Sequence, residues 1–313
     1  MRRLCPTALE RACRFIKAEA RPLERALFAF RCSGAGAHSV YEQLAQFAND
    51  DGGFGRALEP DVRTPSSSAL ATALGLRILD EIETPIEDPL VRGAIDWLVS
   101  AYDTSASVWR VVPPDANDHP HAPWWHDEDG SLGQTFDGFR IIPRALIVAL
   151  LHRFGGAWPI GWLEEITESL VRCVEGLDPL GEGGGSDLEY VVYLARTRRL
   201  PEDHKERLTA KLRAAIPRVV LRHPAGWSSY CITPLRAVPE PDSIGADLIA
   251  SELDANLDWL IDQQQPDGGW DPTWDYTYAG EMASARTEWR GILTLDTLTA
   301  LRTFGRIDDA ATA

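Results

Sequence analysis

Apolar and polar positions along the chain recur with helical rather than strand spacing. Amphipathic or apolar stretches punctuated by Pro, Gly and Asp predict helices over roughly 6–19, 22–33, 38–49, 66–82, 89–102, 138–153, 160–176, 186–199, 202–219, 230–238, 246–265 and 284–304. Pro22, Pro89, Pro159 and Pro201 suit the first position of a helix, where the missing N–H costs nothing. No run alternates strictly enough to predict a strand. Three segments, ALATALGLRIL (69–79), RALIVALL (144–151) and GILTLDTLTAL (291–301), are apolar nearly all round, which predicts burial on every face. The helices over 160–176, 202–219 and 246–265 instead carry one charged face. Inner and outer helices therefore alternate, in about six pairs.

The pairs repeat. YEQLAQFANDDGGF (41–54), AIDWLVSAYDTSASVW (94–109) and NLDWLIDQQQPDGGW (256–270) each run from an amphipathic helix through a polar turn to an aromatic residue. Leu44 and Phe54 align with Leu260 and Trp270 at one offset of 216 residues, and Trp97 and Trp109 match Trp259 and Trp270 with a single-residue gap. GLDPLGEGGGSDLEY (176–190) and VVLRHPAGWSSY (219–230) are weaker copies. A period of about 45 residues fits one helical hairpin per repeat. The glycines from Gly181 to Gly185 follow no strand, so they are a degenerate repeat turn rather than a nucleotide loop. Residues 110–137 form a long insertion where other repeats have a short loop, and loops of that length are usually functional or mobile.

NDDGGFG (49–55) and QQQPDGGW (263–270) resemble the Gln-Trp repeat turns of squalene–hopene cyclases and the DGGF turns of protein-prenyltransferase β subunits. That resemblance implies an all-α fold of the α/α-toroid type, with about six helix pairs in an inner and an outer ring and one domain over residues 1–313. The chemical motifs depart from the family. Where class II terpenoid cyclases carry Asp-x-Asp-Asp, this chain reads Asp61-Val62-Arg63-Thr64. The prenyltransferase zinc set needs a Cys shortly after its Asp, but Arg63, Thr64, Pro65 and Ser66 follow Asp61. Asp50-Asp51 and Asp308-Asp309 lack the third Asp of the class I magnesium motif.

In such a ring all inner helices start at one end, and their N-termini attract anions around one mouth. Glu59, Asp61, Arg63 and Ser66 to Ser68 belong there. Arg63 would hold a diphosphate or carboxylate. A carboxyl in an apolar cavity stays protonated, so Asp61 could protonate an alkene or epoxide, with Glu59 and Asp127 as further candidate catalytic acids. The structural alternative is helix capping by Thr64 or Ser66, with Asp61 paired to Arg63. Arg140 with Arg144, and Arg286 with Arg290, have i,i+4 spacing near the starts of predicted inner helices, which suits an anionic substrate group. Alternatively they pair with Asp137, Glu281 or Glu288 and brace loops. Trp124, Trp125, Trp274, Tyr276 and Trp289 are candidate cavity aromatics that would shape a polyene and stabilise carbocations. Phe54, Trp109, Trp227 and Trp270 instead read as wedges between repeats. His119, His121, His126, Asp127, Glu128 and Asp129 could bind a metal or supply an acid and a base, or form a solvated lid. Their spacing matches no standard ligand set, so no metal site is assigned, and Mg2+ enters only with a diphosphate substrate.

The function expected is that of a terpenoid-cyclase-like enzyme acting on a hydrophobic isoprenoid. One alternative is a carbohydrate-active enzyme with paired carboxylates drawn from Glu59, Asp61, Asp127, Asp271 and Asp275. The other is a non-catalytic binding protein on the same scaffold. The formal charge of −16 argues against nucleic-acid binding, which needs a basic footprint. Cys5, Cys13, Cys32, Cys173 and Cys231 are odd in number and show no ligand spacing, which fits reduced thiols in a cytoplasm. The first residues lack a signal-peptide core, and no run approaches the ~18 apolar residues of a spanning helix. Peripheral membrane contact stays open, and oligomeric state is not legible.

Overall fold

The structure, a computed structural model, describes residues 1–156, 161–181, 186–274 and 276–307. Among these it is all-helical, with α1 (Pro6–Glu19), α2 (Pro22–Ser33), α3 (His38–Ala45), α4 (Ala69–Glu81), α5 (Pro89–Ser100), α6 (Ser131–Thr135), α7 (Arg144–Phe154), α8 (Trp162–Gly176), α9 (Ser186–Ala195), α10 (Glu202–Val219), α11 (Pro234–Ala237), α12 (Ala250–Asp262) and α13 (Ala283–Thr303). Pairing outside the helices is confined to isolated bridges. Pro159, Gly183 to Gly185, Asp275, Asp308, Asp309 and the side chain of Asp137 lie outside the described residues.

Helix ends follow local chemistry. Pro22 and Pro89 open α2 and α5 at the first position. Asp88 caps α5 by accepting from Leu90 N at 2.9 Å. The α4 helix starts at Ala69 rather than 66, because Ser68 Oγ accepts from Ala71 N at 3.0 Å and is the N-cap. The helix expected over 138–153 starts only at Arg144. Gly138 adopts φ +66°, and Pro143 steers the residue before it away from helical angles.

The chain divides into two compact units. One comprises Leu44–Gly181 and Ser186–Ala215. Here α4 packs on α5 and α7, and α7 packs on α8 and α9. Every residue from Ile141 to Leu151 is buried, as the all-round apolar pattern of 144–151 demands. The α8 helix shows the other pattern. It buries Leu163, Ile166, Thr167, Leu170, Val171 and Val174 and turns Glu164, Glu165, Arg172 and Glu175 outward.

The other unit comprises Met1–Gln43 and the chain from Ile216 onward. Here α1, α2 and α13 pack on one another, and α11 packs on α12. Leu9, Phe15, Ile16, Leu23, Leu27, Leu295, Leu298 and Leu301 are buried. The α13 helix is buried along a stripe rather than all round, since Asp296 is exposed and pairs with Arg31 at 3.4 Å. The segment before α1 meets the residues just after α13 in this unit. Leu4 N donates to Arg306 O at 2.9 Å. The Arg306 guanidinium, 1% exposed, donates to Arg2 O at 2.8 Å and pairs with Asp254 at 2.6 Å and Asp258 at 2.5 Å. Among the described residues no helix is long and apolar enough to cross a membrane.

Candidate functional site

Two turns, 216 residues apart in the sequence, are built alike. In the first, Asn49 N donates to Gly53 O (2.9 Å) and Gly52 N to Asn49 O (3.0 Å). Asp51 Oδ1 accepts from Gly53 N (3.0 Å), and Phe54 N donates to Thr72 Oγ1 on α4 (2.9 Å). In the second, Gln265 N donates to Gly269 O and Gly268 N to Gln265 O, both at 2.9 Å. Asp267 Oδ1 accepts from Gly269 N (3.1 Å), and Trp270 N donates to Thr294 Oγ1 on α13 (3.0 Å). The first glycine of each pair is required by conformation and by space. Gly52 has φ +92° and Gly268 φ +103°, angles that disfavour any side chain. A Cβ on Gly52 would lie 2.7 Å from Gly93 O of α5, and one on Gly268 would lie 2.4 Å from the Arg11 backbone of α1.

The turn aromatics are wedges. Phe54, Trp109 and Trp227 are fully buried and Trp270 is 3% exposed. The indole N–H groups donate to carbonyls near the preceding helix ends, Trp109 to Leu98 O (2.6 Å), Trp227 to Leu221 O (2.6 Å) and Trp270 to Leu260 O (2.8 Å). Each indole therefore fills the core and satisfies a carbonyl, which for Trp109 and Trp270 lies in the last turn of a helix.

Between the first turn and α4 the chain makes a detour. Arg56 and Ala57 both hold positive φ, 53° and 61°, a strained pair for residues with a Cβ. The next stretch lies against the insertion. Val62 bridges His121 in antiparallel sense, Arg63 N donates to Pro120 O (3.0 Å) and Ala122 N donates to Asp61 O (2.9 Å). Asp61 is 2% exposed, while Glu59 and Arg63 are half-buried. Asp115 of the insertion accepts from Thr64 Oγ1 (3.2 Å) and Ser66 Oγ (2.7 Å). Thr64 and Ser66 are thus fasteners for the insertion, and capping falls to Ser68.

Inside the insertion, Asp127 is a structural hub. Its Oδ1 accepts from Leu132 N at the start of α6 (3.1 Å), and its backbone exchanges two bonds with the Asn117 amide (2.6 and 3.0 Å). Trp125, 8% exposed, stacks on Phe136 at 5.2 Å, and its indole N–H meets no acceptor. Trp124 is half-buried. His121 Nδ1 lies 2.7 Å from His119 O and must donate, so Nε2 accepts from His126 Nδ1 at 3.0 Å in the neutral pair. Among the described residues no group of three or more His, Cys, Asp or Glu is arranged to hold a metal ion.

The arginine pairs part company. Arg140 and Arg144 do not share a helical face, because Arg140 precedes α7 and is exposed while Arg144 opens the helix and is 3% exposed. Arg144 Nη2 donates to Ile166 O of α8 (3.0 Å), and its Nε has no partner. Arg286 and Arg290 do share a face of α13, and both meet Asp271. Arg286 Nη2 lies 3.3 Å from Oδ2, and Arg290 Nε lies 2.5 Å from Oδ1 without hydrogen-bond alignment. Arg290 also forks onto both oxygens of Asp267 (2.8 and 2.9 Å) and stacks over Phe15 (4.6 Å). Its hydrogen bonds hold the Asp267 carboxyl below the usual range. The Arg290 partners are therefore the acids of the second repeat turn and its exit.

Trp274, Tyr276 and Trp289 come together beside this pair. Trp274 and Trp289 meet edge-on at 5.0 Å, Trp274 Nε1 donates to Tyr278 OH (2.8 Å), and Tyr278 meets Tyr276 at 4.5 Å. All four rings are half-buried. Asp115, Thr72 and Thr294 carry no mark in the sequence. Thr72 and Thr294 follow their turn aromatics by 18 and 24 residues, so no fixed spacing marks them. Asp115 is one acid among many in an irregular segment, without a periodic signal. No protein-family model matches the chain, and no curated protein sequence matches it.

Proposed function

We propose that this chain is a terpenoid-cyclase-like helical-repeat protein that acts on a hydrophobic isoprenoid. The observation that carries this reading is Asp61, a carboxyl side chain 2% exposed in a loop that the insertion covers just before α4. When it carries its proton, a carboxyl so placed would be the general acid for an alkene or epoxide. Glu59 is the second carboxyl of that loop, and Arg63 is the cation that would take a polar head or diphosphate, with Mg2+ in the diphosphate case only. The half-buried rings of Trp274, Tyr276, Tyr278 and Trp289 offer faces suited to a polyene and its carbocations. The twin turns and the packing of α1 on α13 support the wider proposal that about six helix pairs close an α/α toroid. An isoprenoid is drawn from a bilayer, so peripheral membrane contact belongs to the same proposal.

A product scan tests it. The protein is incubated with farnesyl and geranylgeranyl diphosphates, squalene and epoxysqualene, with magnesium or with chelator, and extracts are analysed by mass spectrometry. A new cyclised or hydrolysed product is expected, and Asp61→Asn should reduce it at least about a hundredfold, in line with general-acid contributions, at an unchanged melting temperature. Return of every substrate unchanged by a folded protein would sink the proposal.

A further inference from the structure

The insertion brings two imidazoles together in a way that isoprenoid chemistry does not use. His121 Nδ1 lies 2.7 Å from His119 O, and a carbonyl can only accept, so this nitrogen holds the proton and Nε2 keeps its lone pair. That Nε2 lies 3.0 Å from Nδ1 of His126. The ring centroids are 5.2 Å apart and the ring planes differ by 10°, so the rings meet edge to edge near one plane rather than face to face. The backbone on either side is held. Val62 bridges His121, and Asp127, next to His126, is tied to Asn117 and to Leu132 N.

A histidine held in this way is prepared for a metal ion. A ligating imidazole commonly donates its other N–H to a backbone carbonyl, which fixes the tautomer and makes the remaining nitrogen more basic. Two nitrogens bound to one ion at about 2.0–2.1 Å, at angles from square to tetrahedral, stand about 3–3.4 Å apart. The 3.0 Å between Nε2 of His121 and Nδ1 of His126 already lies in that range. The local charge suits a cation as well. Between Arg110 and Arg140 the chain has no Lys or Arg, while Asp115, Asp118, Asp127, Glu128 and Asp129 flank the pair in sequence. His121 is half-buried and His126 is exposed, so a hydrated ion can reach them and one ring can move.

We propose that His121 and His126 form a two-imidazole site for a divalent transition-metal ion of the copper, nickel and zinc class. The ion takes the Nε2 lone pair of His121 and displaces the hydrogen bond from His126. His126 swings outward, its proton passes through solvent from Nδ1 to Nε2, and Nδ1 becomes the second ligand, so no net proton is gained or lost. Among the described residues no third ligating side chain joins them, so water fills the remaining positions and the site is exchangeable rather than a closed cage. Imidazole suits these ions, whereas Mg2+ and Ca2+ seek oxygen ligands. The site lies on the stretch of the insertion that pairs with Asp61 to Arg63, and it stands whether or not the chain acts on an isoprenoid.

Cu2+ is the probe, because it binds nitrogen ligands most tightly of the series. Full-length protein is titrated with Cu2+ against glycine as a competing chelator, and pulsed electron paramagnetic resonance counts the imidazoles on the bound ion. One ion carrying two imidazoles is expected. His126→Ala changes an exposed position, so it should keep the melting temperature, leave one imidazole on the ion and weaken binding at least about tenfold, the loss that removal of an outer-shell partner alone can cause. His119→Ala keeps the backbone carbonyl that orients His121 and should bind as the wild type does. Zn2+ should raise the melting temperature of the wild type, reversibly with chelator, and Mg2+ should not. A wild-type ion with one imidazole or none would overturn the proposal. Wild-type affinity with two imidazoles in His126→Ala would place the ion elsewhere and overturn it equally. Loss of binding in folded His119→Ala would overturn the assignment of the ligands to His121 and His126 alone.

Discussion

Replacing Gly52 by alanine tests the turn on which the repeat depends. The perturbation has two parts. Gly52 sits at φ +92°, and a Cβ in the left-handed region costs about 1–2 kcal/mol. The new atom would also lie 2.7 Å from Gly93 O and 2.9 Å from Gly93 C, both backbone atoms of α5 that cannot swing aside. Overpacking of that kind costs about 1–3 kcal/mol, so the sum is about 3 kcal/mol. Gly34 isolates the first part. It has φ +67° at the end of α2, with nothing within 4 Å of its would-be Cβ, so Gly34→Ala should cost only about 1 kcal/mol. Urea unfolding, followed by tryptophan fluorescence and far-ultraviolet circular dichroism, measures both. Trp97 is a local reporter, since its indole donates to Asp51 Oδ2 of the same turn at 3.0 Å. If Gly52→Ala costs no more than Gly34→Ala, the close approach of this turn to α5 is wrong, and with it the spatial reason for the paired glycines.

Two further outcomes follow from named groups. Burial holds His152 neutral, with its pKa lowered to about 4, while Thr167 Oγ1, 2.8 Å from its Nε2, gives its own proton to Leu163 O. Between about pH 6.5 and 4 the unfolded chain therefore binds one more proton than the folded one, and stability falls as pH drops through that window by on the order of 2 kcal/mol after allowance for partial exposure. His152→Gln should remove that slope in urea unfolding repeated at each pH, and a slope unchanged by the substitution would refute the assignment. Trp109→Phe keeps a ring between Tyr102 and Trp162 but leaves Leu98 O without its donor, so it should destabilise by about 1–3 kcal/mol, with a matching loss for Trp270→Phe at Leu260 O. Clearly unequal losses would argue against a shared turn design.

The fold was legible where the physics is local. Periodicity and proline placed α1 and α2 at the residues observed, because amphipathic spacing and the N1 preference act within a few turns. The 216-residue offset between Phe54 and Trp270 pointed to a shared turn whose hydrogen bonds prove to match. Legibility failed where a distant partner decides. Nothing near Asp127 shows that it caps α6, and nothing near Thr64 or Ser66 shows that Asp115 lies across from them. The i,i+4 spacing of Arg140 and Arg144 predicts one helical face, yet Pro143 stands between them and delays the helix. Arg286 and Arg290 kept their spacing, but their partners are Asp267 and Asp271, and only the packed turn reveals this.

The two turns also indicate where chemistry can reside. Each carries one aspartate whose Oδ1 is committed to a glycine N–H. The remaining valence differs, for Asp51 takes Ser67 Oγ (2.7 Å) and Trp97 Nε1 (3.0 Å), whereas Asp267 takes the Arg290 guanidinium. Arg290, the eighth residue of α13, has its charge balanced by Asp267 and Asp271. A charge so explained leaves little need for an anionic ligand at that point. Asp127 likewise has one oxygen committed to an α6 amide. What the repeat does not account for is the strained detour through Arg56 and Ala57, the buried Asp61 beyond it and the insertion pinned across both. Those segments depart from the repeat at a structural cost, and strained or buried polar groups of this kind are where a function is sought first.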